Sequence, residues 1–214
     1  MDSKTRAALG FRAHSGWAAV VAVTGTPRAP EILDRRRIEI ADPKIPGSNQ
    51  PYHAAEELPF EKAKKLLERC EVGSARLARE AVGALVEELT KRSYTVVGCG
   101  LLLASGRPLP ALASILVSHA LIHTADGEHF RDALAGASEH HRLPVTRVKE
   151  RELYAGAAAR FPILADELLS RINAIGKDLG PPWTQDQKLA ALVAWLALAG
   201  EHLNRPASPA NQIF

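Results

Sequence analysis

Two histidines, His119 and His123, have the spacing of a metal site. They lie four residues apart in a segment with helical periodicity, so both imidazoles would project from one face of a helix. Ala120 stands where the zinc-protease motif carries its glutamate, but three nearby residues could complete a ligand set: Asp126, Glu128 and His129. The sequence therefore marks the pair as candidate metal ligands. The alternative is that the two rings are hydrogen-bonded scaffolding on a half-buried helix.

A second set of residues could form a pocket for an anion. Ligands of open sheets gather at the carboxyl ends of parallel strands, where loops and helix N-termini meet. Six residues are expected near that edge: Arg12, His14, Ser15, Ser105, Arg107 and Asp186. Guanidinium and imidazole groups there would favour a phosphate or a carboxylate. The alternative is an ordinary surface hairpin and surface turn. His53 and Glu56, in a proline-rich segment, either cover the pocket as a lid or begin the next helix.

A predicted β-hairpin positions the first of these residues. Residues 6–13 and 17–23 are rich in small and β-branched side chains, and a tight turn containing glycine joins them. Residues 30–40 alternate imperfectly between apolar and charged side chains, which suits an edge strand. The three arginines at 35–37 would discourage intermolecular strand pairing at such an edge, or alternatively contact phosphate.

The rest of the chain alternates helices with two further strands. Residues 42–59 are rich in proline and predict a loop, and a long helix is expected from Phe60 onward. The remaining predicted elements are a central strand over 94–103, a helical region over 109–142 broken around 124–127, a short strand over 143–150, a helix over 153–177 and a final helix over 184–200. Thr184 and Gln187 have the spacing of a capping box at the start of that final helix.

Three antiparallel strands followed by strands joined through helices predict a mixed sheet with helices on its faces. With Gly10-Phe11 in the first strand and Gly16-Trp17 at the entry to the second, the chain resembles the ribonuclease H-like superfamily, in its Holliday-junction-resolvase-like branch. That branch begins with a Gly-hydrophobic-Asp strand and a Gly-Trp entry into strand two. The resemblance covers most of residues 6–200. It implies an α/β, ribonuclease H-like mixed five-stranded sheet, three antiparallel strands then parallel strands, flanked by helices.

The resemblance also implies a set of metal-binding carboxylates on the first strand, the fourth strand and the last helix. Such acids hold divalent cations beside a scissile phosphate, because hard cations need several oxygen ligands. Here Arg12 takes the first-strand position, the fourth strand has no acid, and only Asp186 could stand at the last-helix position. One carboxylate beside an arginine cannot assemble a metal pair, so two-metal nuclease activity is not expected. Asp186 also has a simpler explanation, since the macrodipole stabilises an acid in a first helical turn.

The composition, 46% hydrophobic and 24% charged over 214 residues, is that of a soluble globular protein. We expect a single domain over residues 1–203 and a loose tail over residues 204–214. The net charge of +3 permits a nucleic-acid partner without implying one. Cys70 and Cys99 lie in apolar patterns and are expected to be buried and reduced. Together with the lack of a signal sequence or a membrane-length apolar run, this indicates a cytoplasmic protein.

Three hypotheses for function remain open. In the first, which we favour, a non-catalytic ribonuclease H-like domain binds nucleic acid or a protein partner. In the second, an enzyme acts on an anionic substrate through histidine and arginine residues, with or without a metal on His119 and His123. In the third, the apolar final helix with Trp195 packs against a second copy to form a homodimer. No cofactor is predicted, because the chain has no P-loop, dinucleotide glycine fingerprint, nucleophile elbow or paired CxxC motif.

Overall fold

The structure, a computed structural model, describes residues 4–26, 28–104, 108–161 and 165–200. Within these ranges the strands are β1 (Thr5–Ala13), β2 (Trp17–Thr26), β3 (Ala29–Glu39), β4 (Tyr94–Leu103) and β5 (Val145–Lys149). The helices are α1 (Pro51–Ala55), α2 (Phe60–Lys91), α3 (Leu112–Leu116), α4 (His119–His140), α5 (Leu153–Arg160), α6 (Ala165–Leu179) and α7 (Gln185–Gly200). One turn of 3-10 helix, Glu150–Glu152, follows β5.

The strands form one mixed sheet in the order β3-β2-β1-β4-β5. β2 pairs antiparallel with both β1 and β3, whereas β4 pairs parallel with both β1 and β5. This confirms the expected sheet of three antiparallel strands followed by parallel ones. It also confirms β3 as an edge strand and β4 as an interior strand, whose neighbours on both sides explain its apolar sequence.

Helices cover both faces of the sheet, and the side chains of β1 divide between them. Leu9 and Phe11 pack with α2 and α4, whereas Ala8 packs with α7 on the opposite face. Since side chains alternate along a strand, Gly10 and Arg12 share the α7 face with Ala8. The end of β1 therefore directs Arg12 toward α7.

Helix α7 lies directly on the sheet because glycine replaces a side chain at two points of contact. A Cβ atom at Gly10 would lie 1.9 Å from the carbonyl oxygen of Ala190, and one at Gly100 would lie 2.2 Å from that of Val193. Every residue from Leu189 to Ala199 is buried. Asp186 lies one helical turn before Ala190, so this close approach brings Asp186 toward the end of β1.

The capping box predicted for this helix is confirmed. The backbone N–H of Thr184 donates to Oε1 of Gln187 at 2.9 Å, and the N–H of Gln187 donates to Oγ1 of Thr184 at 3.4 Å. The two bonds satisfy backbone donors that the first helical turn leaves unpaired. Local sequence thus sets where α7 begins.

The predicted dimer surface on α7 is wrong. Trp195 is 1% exposed and stacks on Phe161 of the same chain at 4.2 Å between ring centroids. The apolar side chains of α7 are buried against the sheet and α5 of the same chain. They are therefore not free to pack against a second copy. Among the described helices, none combines the length and the apolar character needed to cross a lipid bilayer.

Three helix boundaries differ from the expectation. The segment read as a loop contains α1, because Pro51 occupies the first helical turn, where a missing N–H costs nothing. The break expected around residues 124–127 lies instead between α3 and α4, at residues 117–118, so α4 runs unbroken through Gly127. The helix expected over residues 153–177 is two helices, α5 and α6.

The proposed domain end at residue 203 and the tail over 204–214 lie outside the described residues.

Candidate functional site

Three elements bring charged side chains to one edge of the sheet. Arg12 is the next-to-last residue of β1, Glu150 directly follows β5, and Asp186 is the second residue of α7. β1, β4 and β5 are parallel, so their carboxyl ends lie at the same edge. This is the edge at which open α/β sheets bind ligands.

The guanidinium of Arg12 joins two carboxylates. Its Nε and Nη2 atoms each donate to Glu150, at 3.1 Å to Oε2 and 3.1 Å to Oε1, which is a bidentate pair. Its Nη1 atom donates to Oδ1 of Asp186. Planar two-point contacts of this kind are among the stronger charge-assisted hydrogen bonds in proteins. Arg12 therefore links the end of β5 to the start of α7.

His14 completes the cluster. Its Nε2 atom lies 3.1 Å from Nη1 of Arg12 and 3.1 Å from Oδ1 of Asp186. Burial alone would lower the pKa of Arg12, but hydrogen bonds and attraction from Glu150 and Asp186 outweigh it, so that pKa is raised. The described cluster therefore joins one guanidinium and one imidazole to two carboxylates. An added anion would have to displace a carboxylate from Arg12.

The β1–β2 hairpin places an aromatic stack beside this cluster. The imidazole of His14 lies parallel to the ring of Trp17, with centroids 4.2 Å apart and an angle of 9° between planes. The guanidinium carbon of Arg37 lies 4.1 Å from the centroid of the Trp17 ring. Gly16 makes the turn possible with φ of +82°, and its carbonyl accepts from Ile40 N–H at 2.8 Å. This hydrogen bond holds the hairpin against the end of β3.

The structure brings together three residues of the predicted anion pocket, Arg12, His14 and Asp186. Ser15 lies exposed in the adjoining hairpin turn. Ser105 and Arg107, the other two members of the predicted pocket, lie outside the described residues. The anion pocket as a whole stays a prediction.

Sequence reasoning missed Glu150, which it treated only as the last residue of the fifth strand. The signal was an acid placed directly after a parallel strand, at the carboxyl edge of the sheet.

The three arginines of β3 also have partners that the sequence did not reveal. Arg35 donates to the carbonyls of Leu179, Gly180 and Pro182, Arg36 pairs with Asp34 and Glu88, and Arg37 pairs with Glu39.

The histidine pair belongs to the opposite helical layer. His119 and His123 lie in the first two turns of α4, which packs on the face of the sheet that carries Leu9 and Phe11. His53 of α1 joins them, and its ring contacts both. Of the two alternatives for His53 and Glu56, the lid over the anion pocket is wrong, because α1, which contains His53 and is followed by Glu56, packs against α2 and α4.

Comparison with known proteins identifies the architecture. No protein-family model matches the chain, and a search of curated proteins finds no match. Among solved structures, it is similar to Thermus thermophilus RuvC in complex with a Holliday junction substrate, with 12% identity, a TM-score of 0.52, and coverage of 93% of this chain and 96% of that chain. A second structure of Thermus thermophilus RuvC gives 11% identity and a TM-score of 0.50, with coverage of 92% and 96%. The fold is ribonuclease H-like.

Within this ribonuclease H-like fold, the charged cluster draws on the first strand and the last helix, two of the elements that the sequence resemblance implied for the site. β4 contributes no acid, because its sequence, YTVVGCGLLL, contains none. Glu150 supplies a carboxylate from the end of β5 instead. Among the described residues, Glu150 and Asp186 are thus the carboxylates bonded to Arg12.

Proposed function

We propose that the chain is a non-catalytic ribonuclease H-like domain that binds nucleic acid at the edge of the sheet carrying Arg12. The arginine bonded to Glu150 and Asp186 carries the non-catalytic half of this proposal, and the contact of Arg37 with Trp17 beside it carries the binding half. The proposal has two parts, the lack of metal-dependent cleavage and the binding of nucleic acid, and separate observations support them.

The residues at this edge do not fit a pair of divalent cations. A cation pair needs several oxygen ligands with free lone pairs directed at the metals. Here a permanently charged guanidinium lies between the two described carboxylates and takes up both oxygens of Glu150. A metal at the same place would meet the positive charge of Arg12 at close range, and that repulsion opposes its binding. Arg12 itself neutralises the acids that would otherwise attract a cation.

The aromatic stack supports the binding of nucleic acid. Proteins that bind single strands combine stacking on aromatic rings with cationic side chains that follow the backbone. The Trp17 ring is in contact with both His14 and Arg37, so the outward group of this stack is the Arg37 side chain, which is 56% exposed and paired with Glu39. A guanidinium plane can itself stack on an unpaired base. The RuvC structure with the same fold is described as a complex with a Holliday junction substrate. We therefore propose a branched or partly unpaired nucleic acid as the ligand.

The absence of cleavage is tested with a labelled four-way DNA junction incubated with the full chain and Mg²⁺ or Mn²⁺. We expect the junction to remain intact. Cleavage that depends on Mg²⁺ and is lost in Asp186→Asn would overturn this half of the proposal. The Arg12→Asp variant is the companion experiment. It places a third carboxylate beside Glu150 and Asp186, so we expect Mg²⁺, which prefers oxygen ligands, to raise its melting temperature while leaving the wild type unchanged.

Binding is tested by fluorescence anisotropy with the same junction and with a single strand, over a series of salt concentrations. We expect the affinity to fall as salt rises, because phosphate contacts release counterions. Arg37→Ala should weaken binding and reduce the salt slope. Lys64→Ala, an exposed cation on α2, serves as the control and should leave both unchanged. No binding at any salt concentration would remove nucleic acid as the ligand.

A further inference from the structure

We propose that His53, His119 and His123 form a binding site for a transition-metal ion, with zinc as the expected ion. The site is independent of the proposed function, because it lies in the helical layer on the other face of the sheet from Arg12. The sequence predicts two of its ligands, and the tertiary structure adds the third.

The three imidazoles converge from two helices. One ring nitrogen of each residue lies within 4.8 Å of the corresponding atoms of the other two. The Nε2 atoms of His119 and His123 are 3.0 Å apart. Two nitrogens bound to one tetrahedral zinc ion at about 2.0–2.1 Å are roughly 3.3 Å from each other, so the pair is already close to ligand spacing. Both rings are exposed, so they can rotate to direct their lone pairs at one ion.

A buried carboxylate orients the third ring. Asp126 is 3% exposed, and its Oδ2 atom lies 2.5 Å from Nδ1 of His53. Its Oδ1 atom accepts the backbone N–H of Tyr52 at 2.7 Å, which fixes the carboxylate in place. A carboxylate held against Nδ1 favours a proton on that atom and leaves the lone pair of Nε2 available. Histidine ligands of zinc commonly have such a carboxylate partner behind them.

The ligand chemistry selects the class of metal. Three imidazole nitrogens suit zinc, copper, nickel or iron, whereas magnesium and calcium prefer oxygen ligands. His119 and His123 are exposed, so solvent can reach the ion. Three protein ligands with an open fourth position is the arrangement of zinc sites that bind a water molecule or another small ligand.

The competing explanation is a simple hydrogen bond between the rings of His119 and His123. It accounts for their distance but not for the convergence of His53 or for the buried carboxylate behind it. It also predicts that metal leaves the protein unaffected. A metal bound to all three would join α1 to α4, so it should stabilise the protein against unfolding.

The test is a Co²⁺ and Zn²⁺ titration of the untagged full chain after treatment with EDTA. We expect one ion per chain, visible absorption typical of tetrahedral Co²⁺, and a higher melting temperature with Zn²⁺. The double variant with His119→Ala and His123→Ala should lose all three signals. Both rings are exposed, so this variant should still fold. His140→Ala, an exposed histidine at the end of the same helix, is the matched control and should bind like the wild type.

Asp126→Asn tests the positioning role of the carboxylate. The amide oxygen can still accept the Tyr52 N–H, but its NH₂ group would now face Nδ1 of His53 and favour the tautomer whose Nε2 is protonated. We expect the affinity for Zn²⁺ to fall about 10- to 100-fold. The proposal is overturned if the wild type takes up no stoichiometric metal, or if the double variant takes up as much as His140→Ala. The nucleic-acid proposal would be unaffected by either result.

Discussion

A Cβ atom added to Gly10 would lie 1.9 Å from the carbonyl oxygen of Ala190 and 2.7 Å from the backbone nitrogen of Ala194. The backbones of β1 and α7 are therefore in direct contact at this point. Arg12 lies two residues further along the same face of β1, and Asp186 lies one turn earlier on α7. The contact at Gly10 consequently brings the two ends of the charged cluster together.

The first prediction concerns this contact. Gly10→Ala should destabilise the protein by about 3 kcal/mol or more, because a methyl group there overlaps backbone atoms that cannot rotate away. Gly136→Ala is the matched control. A Cβ at Gly136 meets nothing within 4 Å, so that change should stabilise α4 by roughly 0.5–1 kcal/mol. Urea unfolding of both variants measures the difference, and equal effects would contradict the close packing of α7 on β1.

The second prediction concerns Arg12. Arg12→Met leaves the carboxylates of Glu150 and Asp186 without their shared cation, and we expect a loss of about 1 kcal/mol because the cluster is partly exposed. High salt should restore part of the lost free energy of unfolding, since it screens the repulsion between the two acids in the variant. Arg12→Lys keeps the charge but not the bidentate contact, so it should lose less. Urea unfolding at low and high salt checks the order, and an unchanged Arg12→Met would contradict it.

The third prediction concerns pH. Burial lowers the pKa of His129 from 6.5, and attraction from Asp126 offsets only part of this. As pH falls below about 6.5, the unfolded chain takes up a proton on this imidazole while the folded chain does not. The free energy of unfolding should therefore decrease as pH falls from 6.5 toward the lowered pKa. His129→Gln should have a shallower pH dependence over that window, and His140→Gln, which is exposed, should retain the wild-type slope.

The fourth prediction concerns the thiols. Burial raises the pKa of Cys99 to about 12, and burial also raises the pKa of Cys70. The reactive thiolate is therefore scarce in the folded protein. Neither thiol should react with DTNB at about pH 8 until the chain unfolds, after which both should react. Rapid labelling of the native protein would show that one of these positions opens without global unfolding.

Most of the sheet could be predicted from local pattern. The hairpin at residues 14–16, the edge position of β3 and the apolar interior strand β4 all follow from turn residues and from the alternation of side chains. The start of α7 at Thr184 follows from its capping box. Helices in the middle of the chain were harder to predict, because proline in a first turn and glycine within α4 resemble helix breaks when neighbours are unknown.

The sequence alone determined which residues could do chemistry, since Arg12, Asp186, His119 and His123 are identified by type and spacing. Only the tertiary structure decided their partners. Glu150 reaches Arg12 across 138 residues of chain, and His53 reaches Asp126 across 73. Local preferences act over a few residues, whereas these contacts depend on the order of the strands, on where α7 packs on the sheet and on where α1 packs against α2 and α4. No pattern within a single segment encodes that geometry.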